Sequence, residues 1–307
     1  MGRSVVEVDS LEKSYGSVRA VDSISFEVAD GEIFGVVGPN GAGKTTTIEC
    51  LEGLRQPDGG TVRVLGLDPR RDGDALREVI GAQLQQSALP ARLRVGEAMR
   101  LFASLYARPL EPEPILEELG LADRTSVAYA DLSGGQRQRL SIALALVGDP
   151  RLVFFDELTS GLDPQARHAT WDLVRDVRAK GRTVFLTTHY MEEAERLCDR
   201  VMIIDSGRIV ALDTPAALVR SLGAGQRIAF GAEGMADDAL LALRSIPGVG
   251  RVERSDGRVV IHGESDRVLT PILEVLQGAH VAFHDLQTQQ PDLEDVFLAV
   301  TGREMRD

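Results

Sequence analysis

Lysine, cysteine, tryptophan and long apolar runs are all scarce in this 307-residue chain, and each scarcity removes a class of protein. Cys50 and Cys198 are the only cysteines and stand in no metal-ligand spacing, which excludes a disulfide scaffold and a cysteine-rich zinc site. Reduced thiols in a cytosolic protein are expected. No window holds about 18 uninterrupted apolar residues. Because Met1-Gly2-Arg3-Ser4-Val5-Val6-Glu7 has no apolar core either, the chain is expected neither to enter nor to span a membrane by itself. Basic residues (34) fall short of acidic ones (47), and the net charge of −13 speaks against wholesale binding to a nucleic-acid backbone, so no nucleic-acid partner is expected. Lysine occurs at 13, 44 and 180 alone. What is present suffices for two domains with real cores, since 43% of the residues are apolar.

One of the three lysines lies in Gly38-Pro39-Asn40-Gly41-Ala42-Gly43-Lys44-Thr45, which fits the GxxxxGK[ST] phosphate-binding pattern. Ile33-Phe34-Gly35-Val36-Val37 before it reads as a short buried strand, and Thr45 to Glu52 runs on as a helix. Glycines let successive backbone N–H groups curl inward toward phosphate oxygens, and the helix start adds the positive end of its dipole. Lys44 is expected on the outer phosphates and the Thr45 hydroxyl on Mg²⁺. A glycine-rich turn with an exposed lysine is the competing reading, and the flanking strand and helix argue against it.

The rest of the chain supplies groups that suit a bound triphosphate. Residues 5–30 read as antiparallel β structure with turns at Gly16 and Asp30-Gly31, and Tyr15 between them is, on its own, ordinary sheet packing. A strand is expected at 61–65, then Ile80-Gly81 leads into Gln83, Gln85 and Gln86, followed by helical tracts at about 95–106 and 114–119. Leu132-Ser133-Gly134-Gly135-Gln136 opens a further helix. Ser133 can cap it, and the glycines free backbone N–H groups for a second anion site. Leu152-Val153-Phe154-Phe155-Asp156-Glu157 is an apolar strand ending in two carboxylates, where ligands of open α/β folds gather. Asp156 is placed to hold Mg²⁺ through water, and Glu157 to orient and deprotonate an attacking water. Ser160-Gly161-Leu162-Asp163-Pro164 turns into a helix bearing Trp171 and Val174. Val184 to Thr188 is a further buried strand, and the His189 imidazole beyond it is placed to reach a γ-phosphate. Val201 to Ile204 gives one more strand.

In these motifs the sequence resembles the ATP-binding subunit of an ABC transporter over residues 5 to about 215. The resemblance implies that Tyr15 stacks on adenine, that Gly38 to Thr45 is the Walker A loop with Thr46 following, and that Gln85 senses Mg²⁺ and the membrane partner. It further implies that Leu132 to Gln136 is the signature motif, Asp156 and Glu157 the Walker B pair, Ser160 to Asp163 the D-loop and His189 the switch histidine. The implied cofactors are ATP and Mg²⁺. One departure stands out: Leu158 occupies the place of the family's usual proline, which bears on loop rigidity and turnover. The implied mechanism pairs two copies head to tail, so that ATP on the Walker A loop of one is closed over by Ser133 to Gln136 of the other. Hydrolysis reopens the dimer, and the motion passes to membrane permease subunits on a separate chain. The protein would then sit at the cytoplasmic face of the membrane, docked around Gln85 and the helical insert after it.

The expected fold class is α/β. A P-loop ATPase domain spans 1–220, with a mostly parallel sheet, an antiparallel β subdomain and a helical subdomain at about 86–150. A small α+β domain of ferredoxin-like order, βαββαβ, spans 221–307. Its expected elements are strands at 227–230, 249–253, 258–262 and 281–286, and helices at 237–244, 265–277 and 293–300. His280 and His284 read as strand residues, not ligands. The tail Leu293-Glu294-Asp295-Val296-Phe297-Leu298-Ala299-Val300-Thr301-Gly302, with Thr187 to Glu195, resembles the daunorubicin-resistance type of exporter ATPase, which implies efflux of an amphipathic drug, antibiotic or lipid. Two rival readings are an ABC ATPase acting on DNA or ribosomes and a ligand-regulated ATPase switch. The first lacks its usual coiled-coil insertions or paired cassettes here; the second predicts ligand-dependent hydrolysis without a membrane partner.

Overall fold

A computed structural model describes residues 3–83, 89–222, 227–232, 235–255, 257–263 and 266–302. Two compact units meet in the chain at Pro215 and Ala216. In the first, the elements run β1 (Ser4–Tyr15), β2 (Val18–Ala29), β3 (Ile33–Val37), α1 (Lys44–Leu51), β4 (Gly59–Val64), α2 (Gly73–Arg77), β5 (Ile80–Gln83), α3 (Val95–Ala103) and α4 (Pro112–Glu118). They continue as α5 (Gly134–Leu146), β6 (Leu152–Asp156), α6 (Pro164–Ala179), β7 (Thr183–Thr188), α7 (Met191–Leu197), β8 (Arg200–Asp205) and β9 (Arg208–Asp213).

Alternation in residues 4–29 produces a long hairpin of β1 and β2, to which β4 adds antiparallel on the other edge of β1. The strands without alternation go inside. Every residue of β3, β6 and β7 is buried, as a strand covered on both faces requires. These form the middle of a six-stranded sheet ordered β5-β6-β7-β3-β8-β9, parallel except for β9. The two sheets share one core: the Phe26 ring of β2 stacks 5.6 Å from Phe34 of β3, Phe34 lies 5.6 Å from Phe185 of β7, and Phe185 lies 5.6 Å from Phe154 of β6. Each such ring pair adds about 0.5–1.5 kcal/mol to what burial alone provides. Parallel register carries the carboxyl ends of β3, β6 and β7 to the same edge, with Val37 opposite Thr188 and Asp156 opposite Thr187. That edge holds the site.

Helices α3, α4 and α5 pack together as the helical part of this unit. Helix α3 stops at Ala103, earlier than its expected end at Tyr106, because Leu105 and Tyr106 close the last turn with short-range bonds to Phe102 and Ala103.

The second unit contains α8 (Pro215–Ser221, shared at the boundary), β10 (Arg227–Gly231), α9 (Asp237–Arg244), β11 (Val249–Ser255), β12 (Arg258–Gly263), α10 (Leu269–Gly278), β13 (His284–Gln289) and α11 (Leu293–Thr301). Its antiparallel sheet is ordered β11-β12-β10-β13, and Ile228, Phe230, Leu243, Ile261, Ile272 and Leu276 form its own core. Two expected boundaries move. The helix expected from 265 begins at Leu269 after a 3-10 turn, Asp266–Val268. The strand expected at 281–286 lies at 284–289: His280 leaves α10 in the left-handed region at φ 51°, Val281 packs into the core, and pairing starts where His284 meets Gly231. His284 is therefore a strand residue and His280 is not.

Candidate nucleotide site

Between β3 and α1 the phosphate loop is held by contacts that only glycine permits. A Cβ on Gly38 would lie 2.1 Å from the Ile204 carbonyl oxygen, and one on Gly43, at φ +107°, would lie 2.3 Å from that of Ala20. Gly41 also takes a left-handed backbone, φ +81°, in open space. From below, the Gly207 N–H at the β8–β9 turn donates to the Ala42 carbonyl at 3.0 Å. Asn40 points to solvent and Pro39 and Thr46 are half-buried. No side chain caps α1, so its first N–H groups face the loop. Lys44 is buried, and its Nζ donates to the carbonyls of Gly38 at 2.8 Å and Pro39 at 3.2 Å. Burial pulls its pKa below the usual lysine value, while Glu157 and Asp156 push it back up.

Opposite the amine stand the two carboxylates that end β6. Asp156 is buried; Thr187 donates its hydroxyl to Oδ1, and Thr45 Oγ1 lies 3.5 Å from the same oxygen. Burial raises the Asp156 pKa, and those two hydroxyls act against the rise. The Glu157 backbone turns into the left-handed region, φ 49°, with its N–H bonded to the Thr187 carbonyl at 3.1 Å. This turn brings Oε1 to 3.6 Å from Lys44 Nζ and 3.6 Å from His189 Nδ1. Ser160 Oγ donates to the other oxygen at 3.2 Å. His189 Nδ1 is buried with no hydrogen-bond partner among the described residues, and its ring lies 4.1 Å from that of Tyr190. Leu158, where the resemblance has proline, is buried, and turn bonds from Ser160 N to Glu157 O and Leu162 N to Thr159 O tie the loop without it.

A second group of predicted residues gathers elsewhere in the unit. Ser133 caps α5 in a reciprocal box, its Oγ accepting from Gln136 N at 3.3 Å and its N–H bonding Gln136 Oε1 at 2.9 Å. Asp163 caps α6 by accepting from Ala166 N at 2.9 Å. Ser133, Gly134, Gly135, Gly161, Leu162 and Asp163 line one open cleft of about 590 Å³. Tyr15 is 42% exposed, flanked by Lys13 Nζ at 5.7 Å and the Arg55 guanidinium at 5.8 Å from its ring centre. Gln85 lies outside the described residues.

Glu52 and Glu193 are among the buried carboxyls that went unnoticed in the sequence. Glu52 follows α1 with both oxygens buried and without a hydrogen-bond partner among the described residues; burial, then the charges of Asp156 and Glu49, raise its pKa to about 8. Glu193 on α7 is 2% exposed and hydrogen-bonded. Each sits four residues from a buried apolar residue on its helix, Ile48 and Leu197, and that spacing was the available signal.

The donor set fits a magnesium nucleotide. Gly38 and Gly43, where any Cβ would collide, let the loop backbone lead closely into the uncapped start of α1, and Thr45 and Asp156 offer oxygen ligands of the kind a hard cation takes. Among the described residues no group of three or more His, Cys, Asp or Glu can hold a metal alone, so phosphate and water would complete the coordination. Both cysteines are free and buried. No helix among the described residues is long and apolar enough to cross a membrane.

The profile of the family described as "ABC transporter" matches residues 21–160. Nod factor export ATP-binding protein I of Paraburkholderia xenovorans is 40% identical, with all of both chains covered. The daunorubicin resistance ATP-binding protein DrrA3 of Streptomyces coeruleorubidus is 37% identical over 100% of this chain and 98% of its own, and the linearmycin resistance ATP-binding protein LnrL of Bacillus subtilis 35% over 99% and 100%. A solved ATP-binding subunit of an ABC transporter superposes with a TM-score of 0.65 at 32% identity, covering 71% of this chain and 93% of that one. A dimeric post-hydrolysis cassette bound to ADP and Pi, MJ0796, shares the fold with a TM-score of 0.61 at 24% identity, over 68% and 98%. With a glycine-rich loop, paired carboxylates and a histidine on one sheet edge, and relatives aligned from end to end, the chain belongs to the ATP-hydrolysing, ATP-binding subunits of ABC transporters, in the exporter family these proteins represent.

Proposed function

We propose that Glu157 is the general base for hydrolysis of Mg²⁺-ATP, and that this drives efflux of an amphipathic drug, antibiotic or lipid through a separate membrane permease. The observation that carries the site reading is the convergence of Lys44 Nζ and His189 Nδ1 on one Glu157 oxygen. Glu157 orients the attacking water and takes its proton; Lys44 and the loop amides from Gly38 to Thr46 bind the outer phosphates; His189 hydrogen-bonds the γ-phosphate. Mg²⁺, when bound, supplies charge neutralisation at the phosphate oxygens, with Thr45, Asp156 and Gln85 as its holders. Tyr15 supports adenine. Substituting glutamine at 157 keeps the shape and removes the base, so E157Q should bind ATP normally and hydrolyse it at under about 1% of the parent rate. Turnover near the parent rate would refute the assignment.

Ser133 to Gln136, with Asp163, close over ATP held by a second copy. The grouping of Ser133, Gly134, Gly135 and Asp163 around one open cleft supports this reading. Leu101 on α3 and Leu105 just after it are 51% and 66% exposed, and these exposed apolar side chains support docking of the permease and a place at the cytoplasmic face of the membrane. The names of the relatives, which concern Nod factor, daunorubicin and linearmycin, support an amphipathic cargo. Catalysis is assigned to a domain of residues 1–220, and 221–307 to an accessory domain. Co-expression with the permease and measurement of dye efflux, parent against L101E/L105E, tests the coupling: ATP binding should persist while efflux is lost.

A further inference from the structure

We propose that Glu193 is a positioning residue that fastens the segment leaving β6 to helix α7, so that His189 and the loop 160–163 move as one body. The inference rests on the roles given above to His189 and Asp163. Glu193 Oε1 accepts from Thr159 Oγ1 at 2.9 Å and from Trp171 Nε1 at 2.9 Å. These donors come from two places, the loop after β6 and the middle of α6. The acceptor itself sits on α7, one turn beyond His189. Thr159 is fully buried, two residues after Glu157 and four before Asp163, so the bond reaches the stretch that links the base to the cleft.

A second contact reinforces the first. The Arg167 guanidinium of α6 lies 4.0 Å from the Tyr190 ring centre, and that ring lies 4.1 Å from His189. Burial raises the Glu193 pKa, and the Thr188, Thr159 and Trp171 donors and then the charge of Arg167 act against the rise. A carboxylate this deeply buried is tolerated only while its donors stay in place, and the donors are in turn fixed by it. A displacement of His189 is thus passed by α7 to Thr159, and through Gly161 to Asp163 reaches the wall of the cleft that also contains Ser133. In a head-to-tail pair that wall faces the other copy's nucleotide.

The test measures ATP hydrolysis and ATP binding by the full chain. Losing the acceptor in E193A should lower kcat about 10-fold or more while KM stays within about 2-fold, because geometry and not nucleotide contact is lost. E193Q keeps one acceptor oxygen and should recover most of the rate. T159V, which keeps shape and removes one donor, should lower kcat in the same direction, and adding it to E193A should cost nothing further. Parent kcat in both E193A and T159V overturns the proposal, as does a loss in which kcat, ATP affinity and thermal midpoint fall together in E193Q as well. If E157Q stays active, the site reading fails whatever Glu193 does. If E157Q is dead and E193A and T159V are not, this inference alone fails.

Discussion

Glu52 carries a proton that an exposed glutamate would have lost at neutral pH, because burial and then the charges of Asp156 and Glu49 lift its pKa to about 8. The folded chain therefore holds a proton that the unfolded chain releases once pH passes the ordinary carboxyl range, and stability falls as pH rises toward 8. The slope is about 1.4 kcal/mol per pH unit at most. Glu52→Gln abolishes it. In urea unfolding, the stability of the variant relative to the parent should grow from about pH 5 to about pH 8; a flat difference would show that the carboxyl is not held neutral. Lys44 makes a different case. Its amine is already folded over the loop carbonyls, so Lys44→Ala should leave the loop's backbone in place and weaken ATP binding about 10-fold or more through the lost phosphate contact. Isothermal titration reads this directly.

At the scale of elements, glycines divide into two kinds. Gly38 and Gly43 press on backbone carbonyls that cannot yield, so G43A should destabilise the fold by about 2–4 kcal/mol before any question of catalysis arises. Gly134 has nothing within 4 Å of its would-be Cβ. G134V, and more strongly S133R, should leave ATP binding by a single copy unchanged yet block ATP-driven dimerisation in the E157Q background, with S133R also losing about 1 kcal/mol of stability with the α5 cap. Sedimentation with ATP checks it, and normal dimerisation of S133R would refute the head-to-tail model. The phosphate loop, the β6 carboxylates and the α5 cap were legible in the sequence because each is a contiguous stretch whose chemistry depends on its neighbours in the chain. Glu193 was not, since only the fold places Thr159 and Trp171 against it. The β13 boundary was missed for a related reason: Val281 suits a strand, but its packing against the core and the pairing of His284 with Gly231 decide where the strand begins.

For the whole molecule, two units with separate cores predict separable unfolding. Residues 1–222 should fold and bind ATP with a Kd within about 3-fold of the full chain, since every nucleotide group assigned above lies in the first unit. Calorimetry of the full chain should show two transitions, and ATP with Mg²⁺ should shift only the one that belongs to the first unit. A shift of both would mean that the second unit is energetically coupled to the nucleotide.

Gly207 sits beneath all of this. Its buried N–H is bonded to the Ala42 carbonyl, and its own carbonyl accepts from Asp22 N at 2.8 Å, so one residue at a strand turn links the phosphate loop to β2. Such an amide trades its hydrogen for deuterium only when the loop lifts away from it. The exchange rate at Gly207 is therefore a clock for opening of the nucleotide site. Each tenfold excess of ATP over its dissociation constant should slow that clock about tenfold, for as long as exchange waits on the same opening.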